Sequence, residues 1–334
     1  NKDSDLYRKH PDWILQTPGR RVSHGRYQYV LDFSRKEIVD YIYGMIAKLL
    51  SESNISYIKW DMNRSITECY SIAYPADQQG EIFHRYILGV YDLYERLTSA
   101  FPEVLFESCA SGGGRFDPGM LYYAPQGWVS DDSDAVERLK IQYGTSMCYP
   151  LSSMGSHVSV IPNHQVFRNT PLHTRANVAY FGTFGYELDL NKLSDAEIEE
   201  VKAQIRFMKE YRELLQFGTF YRLKSPFDGN ETVWMVVSED KSKALVGYYR
   251  VLNGVNLPYS CVKLQGLDPD KLYENELANT EHYGDELMNL GLITTDVSAG
   301  EVPQGAEPCT DFESRIYLLK EKQSRCIGAE TVSK

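Results

Sequence analysis

The sequence predicts an α/β fold, a parallel sheet covered by helices over residues 1–218, then a small antiparallel β domain over 219–321. Two observations carry this. A short β-forming run followed by an amphipathic helix recurs along the first 218 residues. Beyond Gly218 the helical period disappears, and short runs rich in β-formers alternate with Asp-Gly, Asn-Gly and Tyr-Gly breaks. Five strand units are countable before Gly218, whereas a closed (β/α)₈ barrel needs eight. Either the sheet is open and doubly wound, or three units are missing before Asn1.

Residues 1–25 read as a polar lead-in, and Tyr27 to Phe33 as the first strand. Ser34-Arg35-Lys36-Glu37 has the form of a capping box. The helix behind it carries Ile38, Ile42, Met45, Ile46 and Leu49 at spacings of three and four. Ile55 to Trp60 is the second strand, and Ile82 to Tyr94 an amphipathic helix. Val104 to Glu107, Gly127 to Ser130 and His157 to Ile161 complete the strands. Asp134 caps the helix behind the fourth, and Thr170-Pro171 opens another with Pro at its first position. Ser194-Asp195-Ala196-Glu197 is a second capping box, opening a helix that ends near Gln216, with Gly218 as its stop. Thr219 to Tyr221, Thr232 to Val237, Ala244 to Tyr249, Val262 to Leu264 and Ser314 to Leu319 are the strands of the second domain. Residues 322–334 read as a disordered polar tail.

Composition narrows the function. A net charge of −11 without a basic tract makes nucleic acid and anionic membranes poor partners. No apolar run is long enough to span a bilayer. Six scattered Cys without a CxxC pair read as free thiols of a reducing, cytoplasmic compartment. HExxH is absent, and neither a metal nor a cofactor is expected. The N-terminus is neither a signal peptide nor an initiator Met, as in a processed chain or a piece of a longer one. The 25 Tyr fit core and interface positions as well as sugar stacking.

Asp61 closes the run Ile58-Lys59-Trp60 at the strand end where α/β barrels do chemistry. Lys59, two residues earlier, projects to the same side. Asp131 stands similarly after Trp128-Val129-Ser130. Two carboxylates across a pocket are what glycoside hydrolysis requires. The run Ser111-Gly112-Gly113-Gly114-Arg115 has neither phosphate-loop spacing and reads as close backbone approach to a ligand. Cys109 could be a nucleophile with His157 or His164 as base, but a buried structural Cys is the plainer reading. Asp32 reads as structural.

Several motifs together carry a resemblance. They are Asp5 to Trp13, Tyr57-Ile58-Lys59-Trp60-Asp61-Met62-Asn63-Arg64, Ser108 to Asp117, Pro125 to Asp132, Val136 to Ser146, Pro162 to Gln165, and Phe184 to Leu190. In this order they resemble the family 36 glycoside hydrolases, the bacterial and fungal α-galactosidases, across the chain to about Lys320. The resemblance implies a retaining mechanism through a covalent galactosyl-enzyme, acting on α-1,6-galactosides of the melibiose and raffinose type. Asp61 would be the nucleophile and Asp131 the acid/base, chosen over Asp132 as the first acid after the Trp-Val-Ser strand. Arg26, Lys59, Asn63, Cys109, Gly112 and Trp128 would line the galactose subsite.

The family's paired-Asp motif of the Leu-Asp-Asp-Gly-Trp type does not occur here. By the resemblance, the chain is the C-terminal part: a partial (β/α)₈ barrel of five β/α units, then an antiparallel β-sandwich. It starts after the third barrel strand. Impaired activity of the chain alone is expected, and a bacterial cytoplasmic homo-oligomer for the full-length protein. An α-N-acetylgalactosaminidase, a transglycosylating relative and a non-catalytic galactoside-binding fragment are the alternatives.

Overall fold

The computed structural model describes residues 1–255, 260–294 and 311–322. The chain divides into two compact units, residues 1–131 and 132–334.

In the first unit, α1 spans Asp5–Lys9, α2 Lys36–Glu52, β1 Tyr57–Asp61, α3 Ile82–Ala100, β2 Leu105–Cys109, α4 Pro118–Tyr123 and β3 Gln126–Gly127. The strands form a parallel sheet in the order β1-β2-β3. Helix α3 forms because Ile82, Tyr86, Val90, Leu93, Tyr94 and Leu97 fall three and four apart on one buried face. That face joins Phe106 of β2 and Val39 and Leu50 of α2 in one core. Gly89 is obligatory in α3, since a Cβ there would lie 1.8 Å from the Phe33 carbonyl oxygen.

Four expectations fail in this unit, the first being the strand expected at Gly127 to Ser130, since β3 covers only Gln126–Gly127. Tyr27–Phe33 is not a strand; its backbone pairs antiparallel with the lead-in, Leu15 N–H donating to Val30 O at 2.9 Å and Asp32 N–H to Trp13 O at 2.8 Å. The capping box at Ser34 does not form, because Arg35 is the N-cap and the Ser34 hydroxyl donates to Asp32 instead. Met45 and Leu49 of α2 face outward, since the helix packs through Ile38, Val39 and Leu50. Asp32 is structural as expected: it is fully buried and accepts from the Ser34 and Ser71 hydroxyls.

In the second unit, α5 is Ala135–Thr145, β4 Gly155–Ser159, α6 Leu172–Ala179, β5 Thr183–Glu187 and α7 Asp195–Phe217. Then come β6 Thr219–Lys224, β7 Glu231–Val237, β8 Lys243–Arg250, β9 Cys261–Val262, β10 Leu272–Asn275, β11 Thr280–Tyr283, α8 Gly284–Asn289, β12 Leu292–Ile293 and β13 Glu313–Glu321. Strands β4 and β5 pair in parallel. The described residues thus hold five parallel strands, the number expected, but with β5 in place of Tyr27–Phe33. Both side-chain caps are present, at Asp134 and as a complete capping box at Ser194. Pro171 is the N-cap of α6, so the helix begins one residue later than expected. Gly218 ends α7 with φ −69°, so no left-handed cap is needed; it is glycine because a Cβ would meet Val236 and the Leu214 carbonyl.

The antiparallel sheet has six strands in the order β11-β10-β13-β8-β7-β6. Four of the five expected strands lie in it; the fifth, expected at Val262 to Leu264, is the two-residue β9, paired with β12 outside this sheet, and β10, β11, β12 and the short helix α8 were not foreseen. The two-stranded ribbon of β9 and β12 brings Val262 and Leu292 onto one face, against Met235, Val246 and Tyr317. On the other face the Tyr249 hydroxyl, which accepts from Trp234, donates to Asn177 O of α6 at 2.6 Å. Strands β7 and β8 are therefore buried on both sides and lack an alternating pattern. The tail 323–334 lies outside the described residues.

Candidate active site

Strand β1 ends at Asp61, and its period of two puts Tyr57, Lys59 and Asp61 on one exposed side, with Ile58 and Trp60 on the other. Parallel register sets Lys59 beside Glu107 and Asp61 beside Cys109. A cleft of about 370 Å³ opens at this strand end, lined by Asp61, Asn63, Gln28, Tyr29, Tyr86 and Arg115 among others.

Two neutral donors orient Asp61. Asn63 Nδ2 donates to Asp61 Oδ2. The Cys109 thiol donates to the same carboxylate. Burial first, and then this hydrogen bond, push the thiol from its ordinary 9.0 up to about 11. A thiol held protonated in this way is a donor, in keeping with the plainer reading of Cys109 as a structural cysteine. Asn63 Oδ1 in turn accepts from Ser111 N–H at 3.0 Å, tying Asp61 to the glycine loop. The Cys109 carbonyl accepts from Met62 N–H at 3.0 Å and from Arg115 at 2.9 Å.

Gly112 has φ +77°, and a Cβ on it would lie 2.7 Å from Asp131 N and 2.8 Å from Ser130 Cα. The glycine is what lets the loop after β2 lie against the backbone that carries Asp131. Trp128 is buried, with its backbone N–H donating to Ser108 O at 2.9 Å, and its ring lies 4.8 Å from Lys59 Nζ. Asp132 Oδ1 accepts from Asp134 N–H at 3.1 Å, a local turn that precedes α5.

Arg26 stands apart. It is exposed and makes no hydrogen bond or ion pair among the described residues. It sits with Tyr27 in a tight turn, both with positive φ, 53° and 60°, closed by Gln28 N–H donating to Gly25 O at 2.9 Å. Buried Arg64 pins this loop, donating to Gln28 O at 3.0 Å and to Ser23 O at 2.9 Å.

Sequence reasoning missed Glu107, although Tyr57 and Gln126 were inside quoted motifs. Glu107 is 3% exposed and accepts from the Tyr57 hydroxyl and from Gln126 Nε2 at 3.3 Å. Burial, and then the bond to Glu107, raise the Tyr57 phenol well above its usual range, so it remains a donor. A larger cavity, about 670 Å³, lies beside β9, β11 and β12, but there His282 is already engaged by Glu286 at 2.8 Å and Thr280 at 2.9 Å.

Comparison with known proteins follows the same residues. Residues 1–218 match the Melibiase family, and residues 231–319 match the glycosyl hydrolase family 36 C-terminal domain. The chain is 56% identical to alpha-galactosidase AgaA of Geobacillus stearothermophilus over 96% of its own length and 42% of that protein's. It is 51% identical to alpha-galactosidase Mel36A of Lactobacillus acidophilus over 95% of its length and 42% of that protein's. Among solved structures, AgaA bound to 1-deoxygalactonojirimycin superposes with a TM-score of 0.91 at 52% identity, covering 96% of this chain and 43% of that one. The alpha-galactosidase from Lactobacillus brevis gives 0.91 at 50% identity, with the same coverage. The chain thus spans about two fifths of the length of these relatives. With both family matches running in order along it, the chain belongs to the family 36 glycoside hydrolases, the melibiases.

Proposed function

We propose that this chain carries the catalytic pair of a retaining α-galactosidase that removes terminal α-1,6-linked galactose from oligosaccharides of the melibiose and raffinose type. The observation that carries the reading is Asp61, a carboxylate at a parallel strand's C-terminal end, held by two neutral donors and paired with no cation among the described residues. In the first step the Asp61 carboxylate attacks the anomeric carbon. The glycosidic C–O bond breaks, and Asp131 gives its proton to the leaving oxygen. In the second step Asp131 takes a proton from water, water attacks the same carbon, and the ester to Asp61 breaks. Two inversions leave the configuration retained.

The relatives support the choice of carboxylates. Solved structures of the Geobacillus enzyme with raffinose and with stachyose each carry one substituted aspartate. Those two aspartates are separated by the same number of residues as Asp61 and Asp131. Asn63, Cys109, Lys59 and Trp128 serve as the galactose subsite beside Asp61, and Gly112 gives the loop room. Arg26 joins them only as a donor held ready on a strained turn.

The five parallel strands are read as the C-terminal part of a (β/α)₈ barrel over 1–218, with the antiparallel domain over 219–321. Isolated, the chain is impaired, because Tyr57, Lys59 and Asp61 all open to solvent on the catalytic side of β1. The four described cysteines are free thiols, which fits the bacterial cytoplasm, and the full-length protein is proposed to be a homo-oligomer.

Kinetics with an aryl α-galactoside test the pair. Asp61→Ala abolishes turnover. Asp131→Ala slows the second step most, by a factor of about 10² to 10⁴ for a lost general base, and azide restores it. Rescue of Asp132→Ala in place of Asp131→Ala would reverse the assignment. Inverted galactose at early time, read by proton NMR, would remove the double displacement.

A further inference from the structure

We propose that Glu107 is a positioning residue that draws the Lys59 ammonium aside, so that Asp61 faces the cleft without an ion pair. This rests on the reading of Asp61 as nucleophile. Lys59 and Asp61 lie on the same side of one strand, two residues apart, where a long flexible cation would ordinarily swing onto the carboxylate. It does not. Lys59 Nζ lies 3.5 Å from Glu107 Oε1 and 4.8 Å from the centre of the Trp128 ring.

Glu107 is built to hold that cation. Its position is fixed from both sides, by Tyr57 of β1 and Gln126 of β3, which both donate to Oε2. Oε1 is buried and accepts no hydrogen bond, leaving the Lys59 ammonium as its counter-charge. A buried carboxylate oxygen without a partner is costly, so the pair with Lys59 is strongly preferred. The ring of Trp128 closes the other side of the ammonium. The donors left to Asp61 are then the neutral Asn63 and Cys109, which orient the carboxylate without neutralising it.

Zero-length carbodiimide coupling on the intact chain tests this, with or without turnover. Activation of a carboxylate and attack by an amine within contact distance form an amide, and the carbodiimide takes up the lost water as a urea. The parent chain gives no Lys59–Asp61 link by peptide mass spectrometry. Glu107→Gln, which keeps the shape and both hydrogen-bonding neighbours, releases Lys59, and the Lys59–Asp61 link appears. Glu107→Asp keeps the charge but withdraws it by one methylene, and gives a lower yield of the same link; it serves if the Gln variant does not fold. Absence of the link in both variants, or its presence in the parent, overturns the proposal.

Kinetics add a readout that a merely structural role leaves unmoved. Glu107→Gln lowers kcat/KM by about tenfold or more, the scale of a charged contact. Lys59→Met with Glu107→Gln is no slower than Lys59→Met alone; multiplied losses count against action through Lys59. If the coupling result holds while Asp61→Ala remains active, the nucleophile reading has failed and the positioning of Lys59 stands.

Discussion

Burial first, and then the hydrogen bond to Asp61, hold the proton on the Cys109 thiol, and this has a consequence for pH. The thiol's ordinary value is 9.0 and the folded value about 11. Between them the folded chain binds a proton that the unfolded chain has released. Stability contributed by Cys109 is therefore full below about pH 9 and is lost as pH rises through about 11. Urea midpoints measured across that window should fall more steeply for the parent than for Cys109→Ser, which has no thiol to titrate. Equal slopes would show that burial and Asp61 do not hold the proton on the thiol. The site was legible in the sequence where chemistry follows the chain locally. Lys59 and Asp61 share a side because strands alternate, and Gly112 stands in a glycine run. Glu107 was not legible, because its role comes from lying beside Lys59 in the next strand, a register that no local pattern encodes. Arg26 was carried over on resemblance alone, and its exposed position adds no contact to that reading.

Elements were legible when one signal decided them. Helix α7 has its complete capping box, and α3 its uninterrupted apolar face. Strand β5 was missed because Thr183-Phe184-Gly185-Tyr186-Glu187 has a glycine at its centre, which argues against a strand. The reason for that glycine is tertiary: a Cβ on Gly185 would lie 2.8 Å from the His157 ring on β4. The same lesson yields a prediction for α3. Helix propensity alone makes Gly89→Ala stabilising by about 1 kcal/mol. The Phe33 carbonyl reverses the sign, and a net loss of about 1–3 kcal/mol is expected from overpacking. Chemical denaturation decides between them; a stabilised variant would mean that the lead-in can move away from α3 at little cost.

At the scale of the molecule, the change of character at Gly218 was readable because helical periodicity stops there. The order β11-β10-β13-β8-β7-β6 was not, since it joins strands far apart in sequence. The resemblance implied a β-sandwich; among the described residues one face of the sheet meets the β9–β12 ribbon and the other meets α6. Trp234 is the test of that arrangement. It is fully buried, donates to Tyr249 at 3.0 Å and meets its ring edge-on at 5.1 Å. Trp234→Ala should cost about 3–5 kcal/mol, read as a lowered denaturant midpoint. A cost below about 1 kcal/mol, the scale of a surface change, would mean that this face is not packed as described.

The turn at Arg26 and Tyr27 carries a different kind of consequence. Two consecutive side chains sit where glycine or asparagine is at ease, at about 1–2 kcal/mol each. Variants with Gly at position 27 would relieve that strain, so a thermostability screen without a sugar would enrich them. The same relief would let the guanidinium beside it wander. On the proposed reading of Arg26 as a sugar donor, selection for heat tolerance and selection for sugar binding pull this one loop in opposite directions, and added stability would have to come from elsewhere in the chain.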